Sequence, residues 1–93
     1  MVVSVLTVKF DACWVDSLKE KRMIVKSLCA KLKNNFNASV CESAQQDVHR
    51  TIIISVAYLA DSNAAADSIQ EKILGFVEQS TDACLLEYEQ VRY

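Results

Sequence analysis

The sequence predicts an α+β fold in which strand, helix, strand, strand, helix and strand follow one another, and three observations predict it. Two stretches rich in β-branched residues, 2–10 and 52–59, have the composition and patterning of strands. Two segments with helical spacing of apolar residues each begin beside a serine able to cap them. The connections are short, and with no proline and one glycine nothing marks a linker.

The first strand covers residues 2–10, with Leu6, Val8 and Phe10 on one face and Val3, Val5, Thr7 and Lys9 on the other. Asp16-Ser17-Leu18-Lys19-Glu20 then forms a capping box: Ser17 accepts from the amide of residue 20 while Glu20 reaches back to the cap amide. In the helix that follows, Leu18, Val25, Leu28, Cys29, Leu32 and Phe36 recur at helical spacing, so one stripe meets the core. The helix is expected to end near Asn34-Asn35.

Phe36 to about Ser43 alternates more weakly, with Ala38 and Val40 opposite Ser39, Cys41 and Ser43, which suits an edge strand. A polar connector, Ala44 to His49, leads to Ile52–Leu59, apolar on both faces and therefore central in a sheet. Asp61-Ser62-Asn63 caps a second helix whose core stripe is Ala66, Ile69, Ile73, Phe76 and Val77. Gly75 inside it costs about 1 kcal/mol relative to alanine, which leads us to expect close packing there. From Ala83 to Val91 the chain alternates again as a last strand. Placing the two most apolar strands centrally gives a four-stranded antiparallel sheet of order 4-1-3-2, with both helices on one face: the ferredoxin-like βαββαβ arrangement.

All 93 residues fit one such domain, 1–93, and the balance of 52% hydrophobic to 24% charged residues is that of a chain able to fold alone. The longest apolar runs, Val2–Val8 and Ile52–Ala60, are too short to cross a bilayer, and the N-terminus lacks the pattern of a secretion signal. The expected location is the cytoplasm, with no membrane partner. Cys13, Cys29, Cys41 and Cys84 are too widely spaced for a metal or redox motif, and His49 is the chain's single histidine. Buried or half-buried free thiols, no metal and no cofactor are expected.

Ser17-Leu18-Lys19-Glu20-Lys21-Arg22, followed by Phe36-Asn37-Ala38-Ser39-Val40, Glu42 and Gln46-Asp47, resembles the YlxP-like family of small bacterial proteins. The hexamer is the most specific piece, and the resemblance spans nearly the whole chain. It implies a ferredoxin-like domain, often dimeric, encoded among genes for translation and ribosome maturation. His49 stands where many relatives have tryptophan, so a binding role for the Gln46, Asp47, His49 loop is an expectation from the loop's own residues and is not carried over from the relatives.

Charge is segregated: residues 1–36 carry seven Lys/Arg against three Asp/Glu, whereas 37–93 carry three against nine. Lys19, Lys21, Arg22, Lys26, Lys31 and Lys33 all fall on the first helix, whose solvent face is expected to present a positive stripe that meets phosphates. The overall charge of −2 and the lack of an RNP-like signature weigh toward a merely solvated helix face. Ser17 and Glu20 are accounted for by capping rather than catalysis. Gln46, Asp47 and His49 cluster in a loop, where sites concentrate, yet one His beside one Asp more often holds a turn. Trp14 is expected to plug the core over the helix start, with base stacking the sharper alternative.

Helices cover one sheet face only, so the other, bearing Val3, Val5 and apolar residues of the third strand, is expected to pair with a second copy. The leading expectation is a non-enzymatic domain associated with ribosomal RNA or a ribosomal subunit through its basic first helix. The alternative is a dimeric small-molecule-binding or oligomerisation module. Fold alone supports no enzyme.

Overall fold

In the computed structural model, which describes residues 1–45 and 48–93, the elements are β1 (Val2–Asp11), α1 (Leu18–Asn35), β2 (Ser39–Ala44), β3 (Thr51–Ala60), α2 (Asn63–Ser80) and β4 (Cys84–Arg92). The strands form one sheet of order β2-β3-β1-β4, every neighbouring pair antiparallel, which is 4-1-3-2 read from the other edge. This is the ferredoxin-like fold. β2 starts later than its alternation suggests, because Phe36 already closes α1 by donating its amide to the Leu32 carbonyl.

Period-two patterning places Leu6, Val8 and Phe10 of β1 and Ile52, Ile54 and Val56 of β3 against the helices, all fully buried. α1 adds Val25, Leu28 and Leu32 to this core, and α2 adds Ala66, Ile73 and Val77. The phenol of Tyr58, also buried, donates to the Ala66 carbonyl at 3.1 Å and so ties β3 to α2 without leaving a polar group unpaired. Phe36 meets Phe76 edge-to-face, with ring centroids 5.5 Å apart, and joins the two helices at the C-terminal end of α1.

Both helix starts follow the expected chemistry. Ser17 and Ser62 accept from the amides of Glu20 and Ala65, each at 3.1 Å. Glu20 reaches the amide of Asp16, one residue before the cap, rather than that of Ser17. Gly75 departs from expectation: it is exposed, and a methyl group added there would meet nothing within 4 Å, so close packing does not explain it. No helix among the described residues is long and apolar enough to cross a membrane.

Candidate functional site

The hexamer at the start of α1 separates into two roles. Lys19 and Arg22 point to solvent and are followed on the same face by Lys26 and Lys33, all exposed and none in an ion pair among the described residues. At helical spacing these four side chains form one row. Lys31 lies off it, its ammonium reaching the Ser80 carbonyl at the end of α2.

Lys21 does not belong to the positive stripe. It is fully buried, its ammonium 2.9 Å from the Glu42 carboxylate of β2 and donating to the Gln45 carbonyl. The reason is geometric: position 21 falls in the stripe of Leu18, Val25, Leu28 and Leu32, so its stem runs through the core edge and its charge must be matched inside. The acceptor Gln45 has φ of 59°, a left-handed conformation that non-glycine residues rarely adopt. The Gln45 carbonyl also accepts from the Val48 amide, so two hydrogen bonds converge on it at the end of β2. Two pieces shared with the YlxP-like pattern, the hexamer and Glu42, are thus joined in space. Gln46 and Asp47 lie outside the described residues, and His49 is exposed.

Trp14 does not plug the core. Its neighbours Ala12 and Val15 are fully buried and do so instead, leaving the indole 42% exposed. The turn is anchored from behind: Ala12 donates to the Arg50 carbonyl at 2.8 Å, Val15 to the Ala12 carbonyl at 3.1 Å, and Arg50 Nε to the Val15 carbonyl at 3.3 Å.

The helix-free sheet face is amphipathic along its strands. At one end Val3 and Val5 of β1 align with Leu59 and Ala57 of β3, and Val5 with Val91 of β4. Val3, Leu59 and Val91 are exposed. At the other end Thr7, Ser55 and Ser43 join in a row of hydroxyl contacts, each 2.8 Å, and Lys9 faces Glu87 and Ile53. The apolar patch anticipated for this face therefore covers about half of it.

A groove of about 630 Å³ opens where α1 turns into β2, over Phe36, Ala57, Leu59 and Ile69, with Lys72 its single charged lining residue. Asn35 at its rim is already committed to the Lys31 carbonyl. Asn37 and Ser39 also line the groove, so its walls mix polar and apolar groups. Three cysteines, Cys13, Cys41 and Cys84, are exposed, contrary to the expectation of buried or half-buried free thiols, which half-buried Cys29 alone meets. Burial pushes the Cys29 thiol pKa up, with nearby Lys33 acting in the opposite direction. Among the described residues no three His, Cys, Asp or Glu side chains converge as metal ligands do.

Comparison with known proteins gives a consistent picture. Residues 3–90 match the family model described as a protein of unknown function, DUF503. Over 62 residues the chain is 29% identical to the uncharacterized protein YlxP of Bacillus subtilis (strain 168), an alignment covering 67% of each sequence. Among solved structures it is similar to the de novo designed protein Foldit4, with a TM-score of 0.50 over 99% of this chain and 94% of that one. At 15% identity that likeness is one of fold alone.

Proposed function

Because the chain belongs to the DUF503 family of proteins of unknown function, we propose an activity from its own surface: a non-enzymatic domain that associates with ribosomal RNA or a ribosomal subunit through α1. The observation that supports this is the row Lys19, Arg22, Lys26 and Lys33, exposed and unpaired among the described residues of a chain whose net charge is −2. A protein dispersing its charges for solubility alone would mix the two signs on such a face. A row of cations along one helix can contact the phosphates of a nucleic-acid strand and position the protein without reading bases.

The test is a titration against structured ribosomal RNA fragments. Neutralising three or four phosphates makes affinity fall roughly 40- to 150-fold between about 50 and 200 mM salt. Converting Lys19, Arg22 and Lys26 to Glu abolishes that dependence together with binding. Absence of binding at low salt, or binding that the triple change leaves intact, refutes the reading.

A second reading is favoured by the exposed Val3, Leu59 and Val91 around half-buried Val5 and Ala57. This apolar half of the sheet face suits a homodimer about a two-fold axis, each copy covering the other. The two readings are compatible, since α1 lies on the opposite side of the sheet.

A further inference from the structure

We infer that Trp14 is a stacking platform for one unpaired base of RNA, held in the hollow between the β1–α1 turn and the end of α2. The inference rests on the RNA reading above and adds what α1 alone does not specify: a single-stranded or looped segment rather than a duplex. Trp14 sits between fully buried Ala12 and Val15 with exposed Cys13 beside it, so the turn packs inward through the small and β-branched residues and leaves the indole outside. The hydrogen bonds to and from Arg50 fix the turn beneath it, so presenting the ring entails little further loss of freedom on binding.

The hollow beside the indole has a volume of about 360 Å³ and apolar walls from Met23, Ile24 and Leu28. A planar base fits between such a wall and the face of an aromatic ring, and base-on-aromatic stacking tolerates any sequence. Met23 connects this hollow to the cations: it follows Lys19 by four residues and precedes Lys26 by three, so all three share one helix face. A strand whose phosphates lie along Lys19, Arg22 and Lys26 therefore passes the mouth of the hollow. In a duplex each base face is covered by its neighbour, so only an unstacked nucleotide can enter.

The far end of the hollow adds a preference. Its polar lining is Ser27, Ser80, Thr81 and Asp82. Ser80 donates its hydroxyl to the Phe76 carbonyl, and Thr81 accepts from the Ala83 amide. Asp82 is the one anion there, an acceptor that repels phosphate but takes a hydrogen bond from an exocyclic amino group. Adenine and cytosine carry that group at the pairing edge; uracil lacks it.

Trp14 is the chain's only tryptophan, so intrinsic fluorescence reports on this site alone. Full-length protein is titrated at low salt with oligoadenylate, oligocytidylate, oligouridylate and a self-complementary RNA duplex. Expected are quenching by the single strands, stronger for adenylate and cytidylate than for uridylate, and duplex binding without quenching. Trp14→Ala lowers single-strand affinity about 5- to 150-fold, the range for one stacked base, while Trp14→Phe keeps most of it. Thermal melts of both variants establish that they fold. Single-strand binding with unchanged fluorescence and unchanged affinity in Trp14→Ala overturns the stacking site and leaves the α1 reading standing. Failure of every RNA to bind overturns both. Quenching by an acidic peptide and by no RNA assigns the hollow to a protein partner and likewise overturns the inference.

Discussion

Two lysines two residues apart in one hexamer have opposite surroundings, and exchanging them for uncharged residues separates stability from binding. Lys21→Met keeps an unbranched stem but deletes a charge whose side chain is 1% exposed and leaves Glu42, 14% exposed, without that partner. Removing one partner of a buried ion pair costs roughly 3–5 kcal/mol, because the other charge remains desolvated. Glu42 retains some access to water, which moves the expectation below that range, to about 2–3 kcal/mol. A chain of this size has total stability on the order of 5–14 kcal/mol, so urea unfolding should show a large fall in midpoint and a Tm drop of roughly 10–20 °C. Glu42→Leu alone is expected to cost a similar amount, whereas Lys21→Met with Glu42→Leu should recover about 1–3 kcal/mol relative to the sum of the single changes. Lys19→Met, on the exposed row, should alter stability by less than about 0.5 kcal/mol. If the two core changes add to within about 0.5 kcal/mol, the pair is not coupled and the reasoning is wrong.

Gly75→Ala should stabilise the protein by about 0.5–1 kcal/mol and raise Tm by several degrees, since the glycine is exposed inside α2 with nothing within 4 Å of the added methyl; a fall in Tm would contradict this. Thiol labelling at neutral pH should modify Cys13, Cys41 and Cys84 readily and Cys29 slowly, with the Cys29 rate rising only at higher pH or after unfolding. The raised Cys29 pKa also favours the protonated thiol in the native state: its contribution is complete below the unfolded thiol pKa of about 8.5 and is lost as pH rises through the higher folded value. Light scattering at tens of micromolar should give a mass of twice 10.4 kDa, and Leu59→Glu, on the exposed apolar half of the sheet, should return it to 10.4 kDa; a monomeric native protein would exclude the sheet-face dimer at that concentration.

The architecture was legible because its signals are local. Alternation in β1, two-sided burial in β3 and serine caps at both helices each specify an element within a few residues, and the order of elements then leaves few topologies. The fate of Lys21 was half legible. Its spacing from Leu18, Val25 and Leu28 places it in the buried stripe, but its partner Glu42 lies on another element and no local pattern announces it. Gly75 shows the converse: it stands two residues from both Ile73 and Val77, which rotates it away from the face they bury, so its place on the solvent side could have been read from the helix period. Trp14 was not legible, because it lies in a turn whose direction is set by long-range hydrogen bonds to Arg50 rather than by periodicity. The exposed thiols follow the same rule: Cys41 and Cys84 are on edge strands, where a small apolar side chain need not be covered.

The central claim, that the exposed row on α1 engages ribosomal RNA, is tested most directly by co-sedimentation with small ribosomal subunits at low salt. Native protein and Gly75→Ala are expected to pellet with the subunit, and added salt to release them. Lys19, Arg22 and Lys26 changed together to Glu should leave the protein in the supernatant with its thermal melt intact, since all three side chains are exposed. Native protein that stays in the supernatant, or a charge-reversed variant that still pellets, would contradict the claim.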